Sequence, residues 1–152
     1  MLGLSTGCGV TTVARGLALA LRAPGGPSPP LLSPGDGAGD AEVAAGTVIW
    51  DAGASDAPVV RGVARCADAL VLVAGKGTEP ALAEIAVEVL RDHTARIVLV
   101  ANRVTDPSRW SGRCDVSVPE SWLGAALLRR GRRPPGAFGA ALVRLATTVW
   151  DG

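Results

Sequence analysis

The chain has 152 residues, a formal net charge of +1 and a hydrophobic content of 48%. This length suits a single domain, spanning residues 1–152, that buries a core of its own. The near-zero charge argues against a protein that binds nucleic acid through its overall charge. Three widely spaced cysteines, Cys8, Cys66 and Cys114, match neither a zinc site nor a disulfide framework. With no signal-peptide pattern and no apolar run long enough to cross a bilayer, the sequence predicts a cytoplasmic protein.

Short apolar runs alternate with segments of helical periodicity along the chain. The predicted elements are, in order, strand 1–4, helix 10–22, strand 30–32, strand 47–50, helix 57–66, strand 69–74, helix 79–92, strand 96–101, strand 116–118, helix 121–130 and helix 135–150. Asp56 is placed to cap the helix at 57–66. Residues 23–46 are rich in proline and glycine and, apart from the short strand, are predicted to be poorly structured or loop.

The helix predicted at residues 79–92 carries apolar side chains at helical spacing. Its expected core-facing residues are Leu82, Ile85, Ala86, Val89 and Leu90. The predicted strands are apolar throughout, which indicates a sheet that is covered on both faces. Because these strands alternate with helices, the sequence predicts an α/β fold with three layers, α/β/α, around a mostly parallel sheet.

Polar residues follow the ends of five predicted strands. In an open parallel sheet, ligands bind outside the carboxyl ends of the strands, so polar residues collected at that edge are candidates for a site. The candidates are the loop at residues 5–9, Asp51, Lys76, Asn102 and Glu120.

The first candidate is a strand, a glycine turn and a helix in direct succession. This layout presents backbone N–H groups and a helix N-terminus to an anion. The candidate phosphate-binding residues are Gly7, Cys8, Gly9, Val10, Thr11 and Thr12. Gly9 and Thr11 occupy the last glycine and the hydroxyl position of the P-loop motif G-x-x-x-x-G-K-[ST]. Val10 stands in place of its lysine and Leu4 in place of its first glycine, so a tight turn without a ligand is the alternative.

The order of these features resembles the MinD/ParA branch of P-loop NTPases, the group with a deviant Walker A motif. The string STGCGVTT at residues 5–12 is similar to the family's first motif, K-G-G-x-G-K-T-[ST]. Later strings also resemble family segments: TVIWDAG at 47–53 the Walker B strand, CADALVLV at 66–73 a central strand, IVLVANRV at 97–104 the strand whose asparagine contacts adenine, and VPE at 118–120 the closing segment. The resemblance covers nearly the whole chain except residues 23–46.

This resemblance implies a P-loop NTPase-like fold with ATP or ADP and Mg²⁺ as ligands. It implies that the loop at residues 7–12 holds the phosphates, that Thr11 and Asp51 serve the magnesium ion, and that Asn102 contacts the adenine. Family members form nucleotide-sandwich dimers. The implied partners are therefore a second copy of the chain, or a protein of a secretion, pilus or cell-envelope system.

The sequence also departs from the family. Val10 and Ser5 replace both family lysines, and Lys76 is the only lysine of the chain. Such losses occur in atypical relatives of the TadZ/CpaE type, in pilus assembly, and of the BcsQ type, in cellulose synthesis. The favoured prediction is thus a degenerate binding, positioning or scaffolding protein with weak or no ATP hydrolysis. The alternatives are an atypical Mg-ATPase that uses Lys76 or a partner's arginine, and a ligase similar to dethiobiotin synthetase or cobyrinate amidase.

The residues that end the strands have structural interpretations as well. Asp51 suits a cap for the segment after it, and Asn102 suits a turn at the end of its strand. Lys76 suits a solvated loop, and Glu120 and Ser121 suit the cap of the next helix.

Arg129, Arg130, Arg132 and Arg133 form a dense basic cluster. A cluster of this kind is able to contact an acidic protein, nucleic acid or anionic lipid. The helix after it is amphipathic, which is typical of a helix that closes the core of its own domain. Contact with nucleic acid or a membrane is therefore the less favoured prediction.

Overall fold

The structure is a computed structural model that describes residues 1–33, 46–54, 62, 64–94 and 96–151. The described strands are β1 (Leu2–Gly3), β2 (Leu31–Leu32), β3 (Ile49–Trp50), β4 (Leu70–Ala74), β5 (Ile97–Val104) and β6 (Val116–Pro119). The described helices are α1 (Val10–Ala20), α2 (Pro80–Arg91), α3 (Trp122–Arg129) and α4 (Gly136–Trp150), with a 3₁₀ turn at Pro107–Trp110.

Every strand pair in the described part of the chain is parallel. β1, β4, β5 and β6 form one sheet in that order, and β2 pairs with β3. The Ala52 amide donates to the Met1 carbonyl, and the Gly3 amide donates to the Gly53 carbonyl, so the chain just after β3 lies beside β1. β3 therefore leads to one side of β1, and β4, β5 and β6 follow in order on its other side. A reversal of this kind is a topological switch point, where the strand ends leave a crevice for a ligand.

Alternate side chains of the central strands pack into two cores, one on each face of the sheet. Val71 and Val73 pack with α1 and α4 on one face. Leu70, Leu72 and Leu99 pack with α2 on the other. All five residues of β4 are buried, because helices cover both faces of the sheet. The predicted three-layer α/β/α fold with a mostly parallel sheet is confirmed.

The segments beside residues 34–45 and 55–61 match the elements predicted from the sequence where the structure describes them. The strand predicted at 30–32 is confirmed as β2, which pairs in register with β3. Residues 34–45, 55–61 and 63 lie outside the described residues. The predicted helix at 57–66 is therefore described only toward its end, where residues 64–66 are helical, and the predicted cap at Asp56 lies outside the description.

The core face predicted for the helix at 79–92 is wrong for three of its residues. Leu82, Ile85 and Val89 are 62%, 58% and 63% exposed. α2 instead turns the stripe that contains Ala83 and Leu90 toward the sheet. The helix carries apolar residues on two sides, so periodicity alone does not choose between them. The small side chain at position 83 lets the helix backbone approach the leucines of the sheet closely.

Candidate functional site

The loop between β1 and α1 lies at the switch point, at the carboxyl end of β1. The amide of Cys8 donates to the carbonyl oxygen of Ser5 over 3.2 Å, which closes a tight turn. Gly7 and Gly9 have φ angles of 74° and 86°, in the left-handed region that favours glycine. These two glycines let the chain turn sharply from the sheet into the first helix.

Cys8 anchors this loop to the sheet. Its side chain is buried, and a Cβ added to Gly3 of β1 would lie 2.5 Å from its sulfur. A Cβ added to Gly75, just after β4, would lie 2.9 Å from the Cys8 Cα. Two neighbouring strands therefore come close to the loop at glycines, and Cys8 serves there as a small buried side chain.

The first turn of α1 combines an apolar side chain with free amides. Val10, at the position of the P-loop lysine, is only 7% exposed and packs in the core beneath α1. Thr11, the next residue, is exposed. No described side chain caps this N-terminus, and the first turn holds no acidic residue. Because the first amides of a helix have no partner within it, they remain available to an anion.

Asn102 holds the loop from the neighbouring strand. Contrary to the prediction that a strand ends before it, Asn102 lies inside β5, because its pairing with Val118 continues the ladder. Its side chain is buried, and Nδ2 donates to the carbonyl oxygen of Cys8 over 2.8 Å. A Cβ added to Gly9 would overlap this nitrogen. Asn102 thus positions the loop, while its contact with an adenine stays a prediction.

Arg103 is the residue at the site that the sequence did not single out. Its φ of 59° is positive, and the register between β5 and β6 shifts at its position. Such bulges redirect side chains, often beside functional sites. Nη1 of Arg103 lies 3.4 Å from the carbonyl oxygen of Gly7, so the guanidinium reaches the loop. The IVLVANRV string gave no sign of a bulge, so nothing in it distinguished this arginine from any other residue near a strand end.

The other strand-end candidates have partners of their own. Asp51 is buried, and its Oδ1 accepts the amide of Gly53 over 3.1 Å, as expected of a residue that caps the next segment. Lys76 Nζ lies 3.9 Å from a carboxylate oxygen of Glu120. Ser121 accepts an amide of the first turn of α3 over 2.9 Å, which confirms its predicted capping role. Lys76 is therefore paired with Glu120, whereas Arg103 contacts the loop.

The donor set fits a magnesium ion only in part. Thr11 offers an exposed hydroxyl and Asp51 a buried carboxylate. Among the described residues, no three histidine, cysteine, aspartate or glutamate side chains converge. Magnesium usually takes one or two protein ligands and completes its shell with water and substrate phosphates. Magnesium binding by Thr11 and Asp51 therefore stays a prediction.

A cleft of about 350 Å³ lies away from the loop, between α2 and the segment before β6. Its charged lining groups bond to one another: Arg91 to Glu88 and Arg113 to Glu84. Asp115, which also lines it, accepts the amide of Leu99 over 2.7 Å. The cleft therefore offers a ligand few free charges, and the loop after β1 remains the stronger candidate.

No protein-family profile, curated protein or solved structure matches this chain. The MinD/ParA resemblance accordingly stays a prediction that depends on the residues quoted for it. Within the described residues, no helix combines the length and the apolar character needed to cross a membrane.

Proposed function

We propose that this chain is a P-loop-like domain that binds nucleotide phosphate at residues 7–12 and acts as a binding or positioning protein, with weak or no ATP hydrolysis. The observation that carries the proposal is the uncapped N-terminus of α1 at the switch point of a parallel sheet. The helix dipole and the free amides there favour a negative charge. Cys8 and Asn102 hold the loop in place before any ligand arrives, which reduces the entropy lost on binding.

The buried Val10 argues against efficient turnover. Enzymes transfer phosphoryl groups mainly by positioning them and by neutralising the charge that develops. A valine packed in the core supplies no charge to the β- and γ-phosphates. Amides alone are able to hold a phosphate, so binding without turnover is consistent with this loop.

The second candidate is an atypical Mg-ATPase of the same class, and one contact favours it. The guanidinium of Arg103 reaches the loop at Gly7, and arginine binds phosphate oxygens through two parallel hydrogen bonds. Arg103 is thus better placed than Lys76, which pairs with Glu120, to substitute for the missing lysine.

Calorimetric titration with ADP and ATP, each with magnesium, tests the proposal. We expect wild type to bind, Thr11→Ala to bind only weakly, and Arg103→Gln to bind roughly 10-fold more weakly, as for the loss of one charged hydrogen bond. Arg109→Gln is the matched control, because Arg109 pairs with Glu79 and not with a residue of the loop.

The outcomes separate the two candidates from a purely structural loop. Binding without phosphate release supports the positioning protein, whereas steady ATP turnover that is lost in Arg103→Gln supports the ATPase. If neither nucleotide binds wild type at millimolar concentration, the loop is a structural turn and both candidates fail. Sedimentation with and without nucleotide then tests whether a second copy is the partner.

A further inference from the structure

The helices on one face of the sheet carry positive charge only. α1, α3 and α4 cover this face, and residues 1–33 and 121–150 contain no aspartate or glutamate. We call five of its exposed arginines the arginine face: Arg15, Arg129, Arg130, Arg132 and Arg144. Arg22, which is also exposed, is not included because it donates to the carbonyl oxygen of Gly26. On the opposite face, the arginines near α2 are paired with glutamates of that helix or its N-terminal cap. The net charge of the chain is therefore near zero although charge is distributed very unequally between the two faces of the sheet.

The arginine face is not occupied by internal ion pairs. None of its five members pairs with an acidic side chain in the described part of the chain. Arg133 differs, because its guanidinium donates to the carbonyl oxygens of Leu19 and Arg22 at the end of α1. That arginine satisfies helix carbonyls that would otherwise lack donors, so it is excluded from the arginine face.

Large apolar side chains are exposed on two of the same helices. Trp122 and Leu123, at the start of α3, are 83% and 65% exposed. Val143 and Trp150, on α4, are 56% and 66% exposed. Tryptophan is enriched at the interface between lipid and water, and exposed aliphatic side chains gain free energy when they enter the acyl boundary.

We propose that the arginine face docks on an anionic lipid bilayer, with Trp122 and Leu123 entering the headgroup region. Arginines close to an anionic leaflet are attracted to its headgroups. Nucleic acid would also attract the arginines, but it offers no apolar phase for Leu123 and Val143. A lipid bilayer matches both the arginines and the exposed apolar side chains. This inference does not depend on nucleotide binding.

Vesicle flotation tests it, with the whole chain and vesicles of phosphatidylcholine with or without 30% phosphatidylglycerol. We expect binding to the anionic vesicles only, and weaker binding as salt rises. Arg129→Gln, Arg130→Gln and Arg132→Gln together should lower vesicle affinity roughly 100-fold, or about five-fold for each arginine removed. All three side chains are exposed and none has an acidic partner among the described residues, so the variant should still fold.

The control is Arg91→Gln, Arg109→Gln and Arg113→Gln, which removes the same charge from the opposite face. Retained binding in this control and reduced binding in Trp122→Ser support the proposal. Equal loss of binding in both triple variants would overturn it, because general charge would then explain the attraction. Failure to bind anionic vesicles at low salt would also overturn it, as would tighter binding to duplex DNA than to vesicles at the same salt.

Discussion

The structure of the candidate loop depends on Gly9 in two ways, through its backbone conformation and through its close contact with Asn102. Gly9 has a φ of 86°, and a Cβ there would overlap Nδ2 of Asn102. Gly9→Ala should therefore lower the free energy of unfolding by about 2–4 kcal/mol, through backbone strain and the loss of a buried hydrogen bond. Urea denaturation measures the change.

Gly7→Ala is the matched control for this substitution. Gly7 also has a positive φ, of 74°, but no atom lies within 4 Å of an added Cβ. Gly7→Ala should lower the free energy of unfolding only by the cost of backbone strain, about 1–2 kcal/mol. Equal losses at the two glycines would mean that Asn102 does not pack against the loop.

The three cysteines should react with an alkylating reagent in a fixed order. Cys66 is exposed and should react first. Burial raises the pKa of the Cys114 thiol, so less of it is thiolate at neutral pH and its reaction should be slower. Cys8 is buried and should react last. Mass spectrometry of timed samples gives the order, and early labelling of Cys8 would show that the loop opens in solution.

Among the elements, α3 offers a simple test of local stability, because its N-terminus is capped by one side chain. Ser121→Ala removes the oxygen that accepts the Gly124 amide and should cost about 1 kcal/mol of unfolding free energy. Ser121→Asp keeps an acceptor and should be close to wild type. Thermal unfolding followed by circular dichroism compares them, and equal losses in both variants would contradict the capping role.

The strands and helices differ in how well the pattern of apolar residues along the chain predicts them. Apolar runs predicted β4 and the apolar part of β5 well, because a strand that is covered on both faces has no polar side to obscure it. The core face of α2 was mispredicted because Leu82 and Ala83 point to different sides of one helix and both are apolar. Which side of α2 faces the sheet depends on how closely the helix approaches the sheet. The order of apolar residues along the chain does not show that distance.

At the scale of the whole molecule, the sequence predicted which strand ends carry polar residues, but not which of these residues meet. Lys76 pairs with Glu120 across the carboxyl edge, whereas Asn102 and Arg103 turn toward the loop after β1. The bulge that directs Arg103 depends on pairing with β6, a contact between distant parts of the chain. The charge asymmetry between the two faces likewise emerges only when the helices are placed on the sheet.

We propose above that the loop after β1 binds a nucleotide phosphate although valine stands at the position of the motif's lysine. The most direct measurement is a calorimetric titration of wild-type protein with ADP and magnesium. We expect saturable heat in wild type and much weaker binding when Thr11 at the start of α1 is replaced by alanine. No heat at millimolar ADP, in protein shown to be folded, would mean that the loop is only a turn that joins a strand to a helix.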